Sequence, residues 1–370
     1  MYDPKREYKT HKEDIDKALN DVLTHGIFIN GPEVKELEKQ LADYVGVKSC
    51  IAVSNGTDAL KIALLALDVK PDDEVITVAH SWISTAEVIS IINAKPVFVD
   101  IKEDNFNLDP EKIEEKITER TKAIIVVSLY GYVSDIDRIN EIAERHNLPV
   151  IEDGAQSFGA TYNNKKSCSL TTIGTTSFFP SKPLGCYGDG GACFTDDEEL
   201  ALKIRAIKNH GGVKRFHHKY VGLNARLDTL QAAVLLVKFQ YFDETLKKRN
   251  ECANYYTEQL AELKEKGVRF PEIKEGYTSA WAQYSLLSNS KEERDNIVQH
   301  LKDNGVNAAI FYPAPLQKQE CFSYLYPDGT LPELPITNRI CDTIFNLPCY
   351  GEVTREEQDH IIGVLKGFFN

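Results

Sequence analysis

Several absences narrow the chain before any motif is read. Its eight cysteines never fall as a C-x-x-C pair, so neither a zinc site nor a disulfide framework is indicated, no metal is expected, and the thiols are expected to be free. No apolar run approaches the length of a membrane span, which sets a membrane partner aside. The opening residues MYDPKREYKTHKED are charged and lack the apolar core of a secretory signal, so the expected location is cytoplasmic. No basic stripe interrupts a formal net charge of -13; little is present to neutralise a phosphate backbone, and generic nucleic-acid binding is not expected. Small anions remain possible ligands, because backbone N–H groups can hold them on an acidic protein. Internal repeats and low-complexity segments are missing as well.

What is present is an alternation. The 370 residues, 42% of them hydrophobic, suffice for about two domains and a sizeable core. Residues 11–23 and 33–44 carry helical periodicity, with Gly31-Pro32 as the turn between them. From Lys48 onward apolar runs alternate with amphipathic ones: SCIAV and TDALKIALLAL, EVITV and STAEVISIINA, PVFVD and PEKIEEKI, KAIIVVSLY and IDRINEIAERH, then PVIED. Such alternation predicts right-handed crossovers and a mostly parallel, doubly covered sheet. A long helical stretch beginning near Asp228 leads to a smaller α+β region, with strands expected near 281–287 and 306–310 and helices over 288–303 and 354–368. The domains are placed at 1–240 and 241–370.

Three stretches of the large domain carry chemistry. SNGTDAL (54–60) follows a strand and opens a helix; Gly56 allows close backbone approach, and Thr57 adds a hydroxyl to the free N–H groups of the first turn. Read alone it is also an ordinary Asn-Gly turn with a helix cap. The second, Glu152-Asp153-Gly154-Ala155-Gln156, sits at the carboxyl end of a strand, where α/β proteins place ligands. A carboxylate there can hold a heteroaromatic ring nitrogen protonated, making the ring an electron sink, and Gln156 can bond a ring oxygen. Asp153 could equally cap the following turn. In the third, TTSFFPSKPLGCYGDGGACFT (175–195), Ser177 and Lys182 stand ahead of a cluster of glycines. A desolvated lysine amine is a nucleophile and a base. Cys186 in the same run reads better as a small packing residue than as a nucleophile.

In this order, NGTDA, EDGAQSFGA, SFFPSK and GDGG, followed by NHG (209–211) and LNARLDTLQAA (223–233), resemble the DegT/DnrJ/EryC1/StrS nucleotide-sugar aminotransferases. The resemblance runs from about Gly26 to Leu347 and implies the aspartate-aminotransferase fold (fold type I), with a mostly parallel seven-stranded sheet and a small C-terminal α+β domain. It implies pyridoxal 5'-phosphate (PLP, alternating with PMP) as cofactor. Lys182 would hold the cofactor covalently and Asp153 would pair with its ring nitrogen. Gln156 would meet the ring hydroxyl and Trp82 would stack on the ring. Gly56, Thr57 and Ser177 would hold the phosphate, helped by Asn224 from the other subunit of a homodimer with shared active sites.

Within that family the run SFFPSKPLGCYGDGGA is most similar to enzymes that aminate C3 of a UDP-linked 3-keto sugar, especially oxidised UDP-N-acetylglucosaminuronate, for surface polysaccharide (O-antigen, LPS). The amino donor would be L-glutamate, leaving 2-oxoglutarate. Arg226 would clamp a substrate carboxylate or phosphate, and Tyr312 would reach the substrate across the dimer. His217 and His218 are candidates for the nucleotide-sugar pocket or simply solvated loop residues. Phe311 and Gln317 stand where many relatives have histidine, and both changes fall in the region expected to touch sugar. Two other readings are a 4-keto-6-deoxy sugar aminotransferase and a non-catalytic sugar-nucleotide sensor.

Overall fold

The computed structural model describes residues 3–370. Seven strands form the central sheet: β1 Ser49–Val53, β2 Glu74–Val78, β3 Lys95–Val99, β4 Thr121–Val127, β5 Val150–Asp153, β6 Ile173–Ser177 and β7 Gly191–Thr195. Their order is β1-β7-β6-β5-β4-β2-β3. Only β7 runs against its neighbours; the pairs from β6 through β5, β4 and β2 to β3 are parallel.

Burial on both faces explains why these strands read as nearly continuous apolar runs. All five residues of β2 are buried. Successive β4 residues serve opposite cores, Ile124 and Val126 in one cluster and Ala123 and Ile125 in the other, as a period of two requires. The carboxyl ends of the parallel strands therefore lie along one edge, and the helix Gly56–Ala66 starts there, capped by the Asn55 side chain, which accepts the Asp58 N–H at 2.7 Å.

The N-terminal periodicity corresponds to helices Lys12–His25 and Pro32–Val45, preceded by Pro4–Thr10 under an Asp3 cap. The stretch beginning near Asp228 is not one helix. It breaks at Tyr241 into Thr229–Gln240 and Phe242–Gln259, where packing passes from a core containing Leu235 and Phe242 to one containing Cys252 and Tyr256. The C-terminal part surrounds that second core with the antiparallel pair β8 (Tyr284–Leu287) and β9 (Ile344–Leu347) and with helices Lys291–Asp303 and Arg355–Phe369.

Two sequence expectations fail. Residues 306–310 form no strand: Ala309 exchanges both backbone bonds with Asn346, but the next available N–H, that of Phe311, goes to the Asn346 side chain at 3.0 Å, which ends the ladder. PEKIEEKI makes two short 3-10 turns, Pro110–Lys112 and Glu114–Lys116, anchored by buried Ile113; so short a segment cannot offset the cost of nucleating an α-helix. Among the described residues no helix is long and apolar enough to cross a membrane.

Candidate active site

Strand alternation sends Glu152 and Asp153 to opposite sides of β5. Glu152 is fully buried and accepts Ser128 Oγ at 2.8 Å, Ser167 Oγ at 2.7 Å and the Cys168 N–H at 2.7 Å. Asp153, 7% exposed, accepts Thr85 Oγ1 at 2.9 Å on one oxygen and the Ala155 N–H at 3.2 Å on the other. It thus caps the following turn and still faces the site. Burial pushes its carboxyl up, against the pull of these two donors and of Lys182. Lys182 is half-buried in the loop after β6; burial pulls its ammonium down, opposed by the charge of Asp153. Two distant stretches have therefore met as a desolvated amine within the field of a desolvated acid.

The third stretch closes on the same place. A Cβ on Gly56 would lie 2.7 Å from Ser177 Cβ, and one on Gly191 would lie 2.5 Å from the Asn55 carbonyl carbon. Only glycine allows the helix N-terminus to approach β6 and β7 this closely. Thr57 Oγ1 lies 2.7 Å from Ser84 Oγ, which donates to Glu87 at 3.1 Å. Ser177 Oγ accepts the Phe179 N–H at 3.2 Å. The first-turn N–H groups and the Thr57 and Ser177 hydroxyls form a cradle suited to a phosphate.

Aromatic side chains wall the opposite side. Trp82 is 60% exposed, which excludes a core role, and its ring centroid lies 6.3 Å from that of Tyr312. Gln156 Nε2 donates to Tyr312 Oη at 3.1 Å, while its Oε1 accepts the Tyr130 N–H at 2.8 Å. Tyr312, expected to serve the neighbouring protomer, is thus bonded within the site of its own chain. The Tyr130 hydroxyl donates to the Phe311 carbonyl and lies 2.7 Å from His80 Nε2. With its single proton committed, Tyr130 must accept from His80, so the network assigns the imidazole proton to Nε2. Burial pushes His80 down to about 3, and the ring stays neutral.

The remaining candidates differ. Arg226 pairs through its backbone with Val53 at the end of β1, and its Nε is buried without a partner. Gln317 is 2% exposed, with neither amide atom bonded. Asn224 is exposed and bridges to Asn209. His217 and His218 are exposed on a short hairpin against Gly212–Lys214, where His218 Nδ1 meets the His210 carbonyl at 2.8 Å; no bond ties them to the Lys182 group. Cys186 is buried in the core, and burial pushes its thiol up to about 11, consistent with packing. Sequence reasoning missed Thr85, His80 and Tyr130, and it named Glu152 without separating it from Asp153, whose side of the strand it does not share. Thr85 and His80 flank Trp82 in AHSWISTAE and could have been found there; nothing local marks Tyr130. Among the described residues no group of three or more His, Cys, Asp or Glu is placed to hold a metal ion.

A strand-end acid, a desolvated lysine and an anion cradle on a seven-stranded α/β sheet define an aminotransferase-type site. Residues 9–366 match the DegT/DnrJ/EryC1/StrS aminotransferase family, and the chain belongs to that family. Members of this family depend on pyridoxal phosphate. The chain is 48% identical over 94% of its length, and 94% of the relative's, to the UDP-2-acetamido-2-deoxy-3-oxo-D-glucuronate aminotransferase of Pseudomonas aeruginosa. Its fold is similar to that of a DegT DnrJ EryC1 StrS aminotransferase from Brucella abortus, with a TM-score of 0.92 and 38% identity over 98% of this chain and 97% of that one. It is also similar to Bacillus subtilis NtdA with bound cofactor PMP, with a TM-score of 0.91 and 37% identity over 97% of this chain and 82% of that one.

Proposed function

We propose that this enzyme transfers an amino group from L-glutamate to C3 of UDP-2-acetamido-3-keto-glucuronate, or of a related UDP-3-keto sugar, in the supply of a surface polysaccharide such as O-antigen. The observation that carries the reading is the convergence of Lys182, Asp153 and the Gly56–Ser177 cradle at one sheet edge, in a chain 48% identical to an enzyme with that substrate.

The residues fit pyridoxal phosphate. Glycine at 56 lets the helix N-terminus close on Ser177, and the cradle so formed suits the phosphate, with Thr57, Ser177 and the first-turn N–H groups to hold it. Bound there, the cofactor supplies an electron sink for the carbon next to the transferred nitrogen. Asp153 holds a proton at the ring nitrogen: burial makes its charge costly when unpaired, and a cationic partner removes that cost. Lys182 Nζ would hold the cofactor covalently and, when free, would move a proton to and from the carbon that bears nitrogen; burial lowers its affinity for protons, which suits a base. Gln156 would bond the ring oxygen and Trp82 would stack on the ring.

On the substrate side, Arg226 clamps a carboxylate or phosphate, with Tyr312, Phe311, Gln317, His217 and His218 around the nucleotide sugar. The unpartnered Arg226 Nε and Gln317 amide support these roles. A homodimer, with Asn224 completing the partner's site, belongs to the same proposal. It is supported by the exposed apolar residues Ile27, Phe28 and Ile29 and by Val213, Phe216 and Val221 near the hairpin, a surface of the kind that a second copy covers.

The test is the reverse reaction with 2-oxoglutarate and a panel of UDP- and dTDP-amino sugars. The proposal expects turnover of the UDP-3-amino sugars, fastest with the 3-amino uronate. Success of a 4-amino sugar with failure of every 3-amino sugar overturns it.

A further inference from the structure

A cavity of about 180 Å³, lined mostly by the C-terminal part together with Ser181 from the loop after β6, holds polar groups that the roles above leave unused. It adjoins the site directly: Ser181 and Phe311 line it, the chain neighbours of Lys182 and Tyr312. Its other polar lining includes Arg249 and Gln283, and no Asp or Glu lines it, in a chain of net charge -13.

Arg249 is 2% exposed. Its Nη1 donates to the Trp281 carbonyl at 2.9 Å and the Cys349 carbonyl at 3.1 Å, but Nε is buried without a partner. No carboxylate of the described residues forms an ion pair with it. Glu352 feels its charge, yet burial pushes that carboxyl up. A buried guanidinium without a carboxylate is an incomplete pair, and its planar fork suits a carboxylate ligand. Drug-sized ligands bind in pockets of about 300–1,000 Å³; the smaller space here suits a short acid.

We infer that this cavity receives a carboxylate of the amino donor, a short dicarboxylic amino acid, with Arg249 as its counter-charge and Gln283 as a further hydrogen-bonding group. The inference rests on the reading of the chain as an aminotransferase that draws on such a donor. It divides the two substrates of the exchange between separate polar groups, the donor acid at Arg249 and the sugar nucleotide around Arg226 and Gln317.

Two variants of the holoenzyme test it. Arg249→Gln removes the charge; Ala309→Leu fills the cavity while keeping Arg249 and its carbonyl contacts. Calorimetric titration with glutarate, a dicarboxylate that cannot react, reads binding directly, and donor and sugar KM are measured separately. Both variants are expected to weaken glutarate and raise donor KM by about tenfold or more, with the sugar KM within about twofold of wild type. If Arg249→Gln fails to fold, Ala309→Leu decides alone. Unchanged glutarate affinity overturns the inference, and so does an increase confined to the sugar KM, which would give the cavity to the uronate carboxylate. Should wild-type enzyme ignore glutamate, the donor reading fails by itself, and the glutarate titration still decides whether the cavity holds a dicarboxylate.

Discussion

On the floor of the site, polar side chains find partners inside the protein. Asp153 has Thr85 and Ala155, Gln156 has Tyr130 and Tyr312, Glu152 has three donors, and His80 is bonded at both nitrogens. Around the proposed rim, Gln317, Arg226, Arg249 and Gln283 each bury a polar atom that nothing among the described residues satisfies. A buried group left unpaired costs about 1–3 kcal/mol, so ligand binding is the natural means of pairing the rim. The floor is preorganised for one chemistry, whereas the rim is adjustable from one substrate to another.

The contrast can be broken most severely at Lys182. Lys182→Ala should lower the rate of amino transfer by about 10⁴-fold or more, read with a coupled 2-oxoglutarate assay, and leave the thermal midpoint near that of wild type.

The pH dependence of stability sharpens the same point. Folded His80 titrates at about 3 rather than at its ordinary 6.5, so between those values the unfolded chain binds a proton that the folded chain refuses. Its contribution is full above pH 6.5 and is lost as the pH falls toward 3, on the order of 5 kcal/mol in total. Urea unfolding at pH 7 and 4.5 should show this loss in wild type and a smaller one in His80→Gln; equal slopes would mean that the ring titrates normally.

Gly56→Ala places a methyl group against Ser177. Overpacking of this kind costs about 1–3 kcal/mol, and cofactor retention through dialysis should weaken roughly ten- to hundredfold. The smallest effect is expected on the rim. Gln317→Leu removes two unpaired buried atoms and should raise stability on the order of 1 kcal/mol while raising the sugar KM; a fall in stability would show that the amide is paired in solution.

The floor was legible in the sequence because its parts lie at strand ends, where an apolar run stops at a residue that cannot be core: Asp153 after PVIE, Ser177 after GTT, Gly56 after SCIAVSN. Alternation of strands and helices then fixes which ends share an edge. Contacts such as Thr85 with Asp153, or Tyr130 with His80 and Phe311, join stretches far apart in the chain, and no local pattern carries them. The same holds for Tyr312: nothing in its motif places its hydroxyl beside the Gln156 side chain. The missing 306–310 strand and the break at Tyr241 are tertiary in origin, one set by an asparagine side chain intercepting a backbone N–H, the other by a change of core along the helix.

The central claim is that Lys182 alone among the 31 lysines is the reacting amine, because it alone joins burial to the field of Asp153. The protein is loaded with pyridoxal phosphate, reduced with borohydride, digested and mapped by mass spectrometry. The account predicts one modified peptide, carrying its label on Lys182. A label on any other lysine, with Lys182 unmodified, would contradict it.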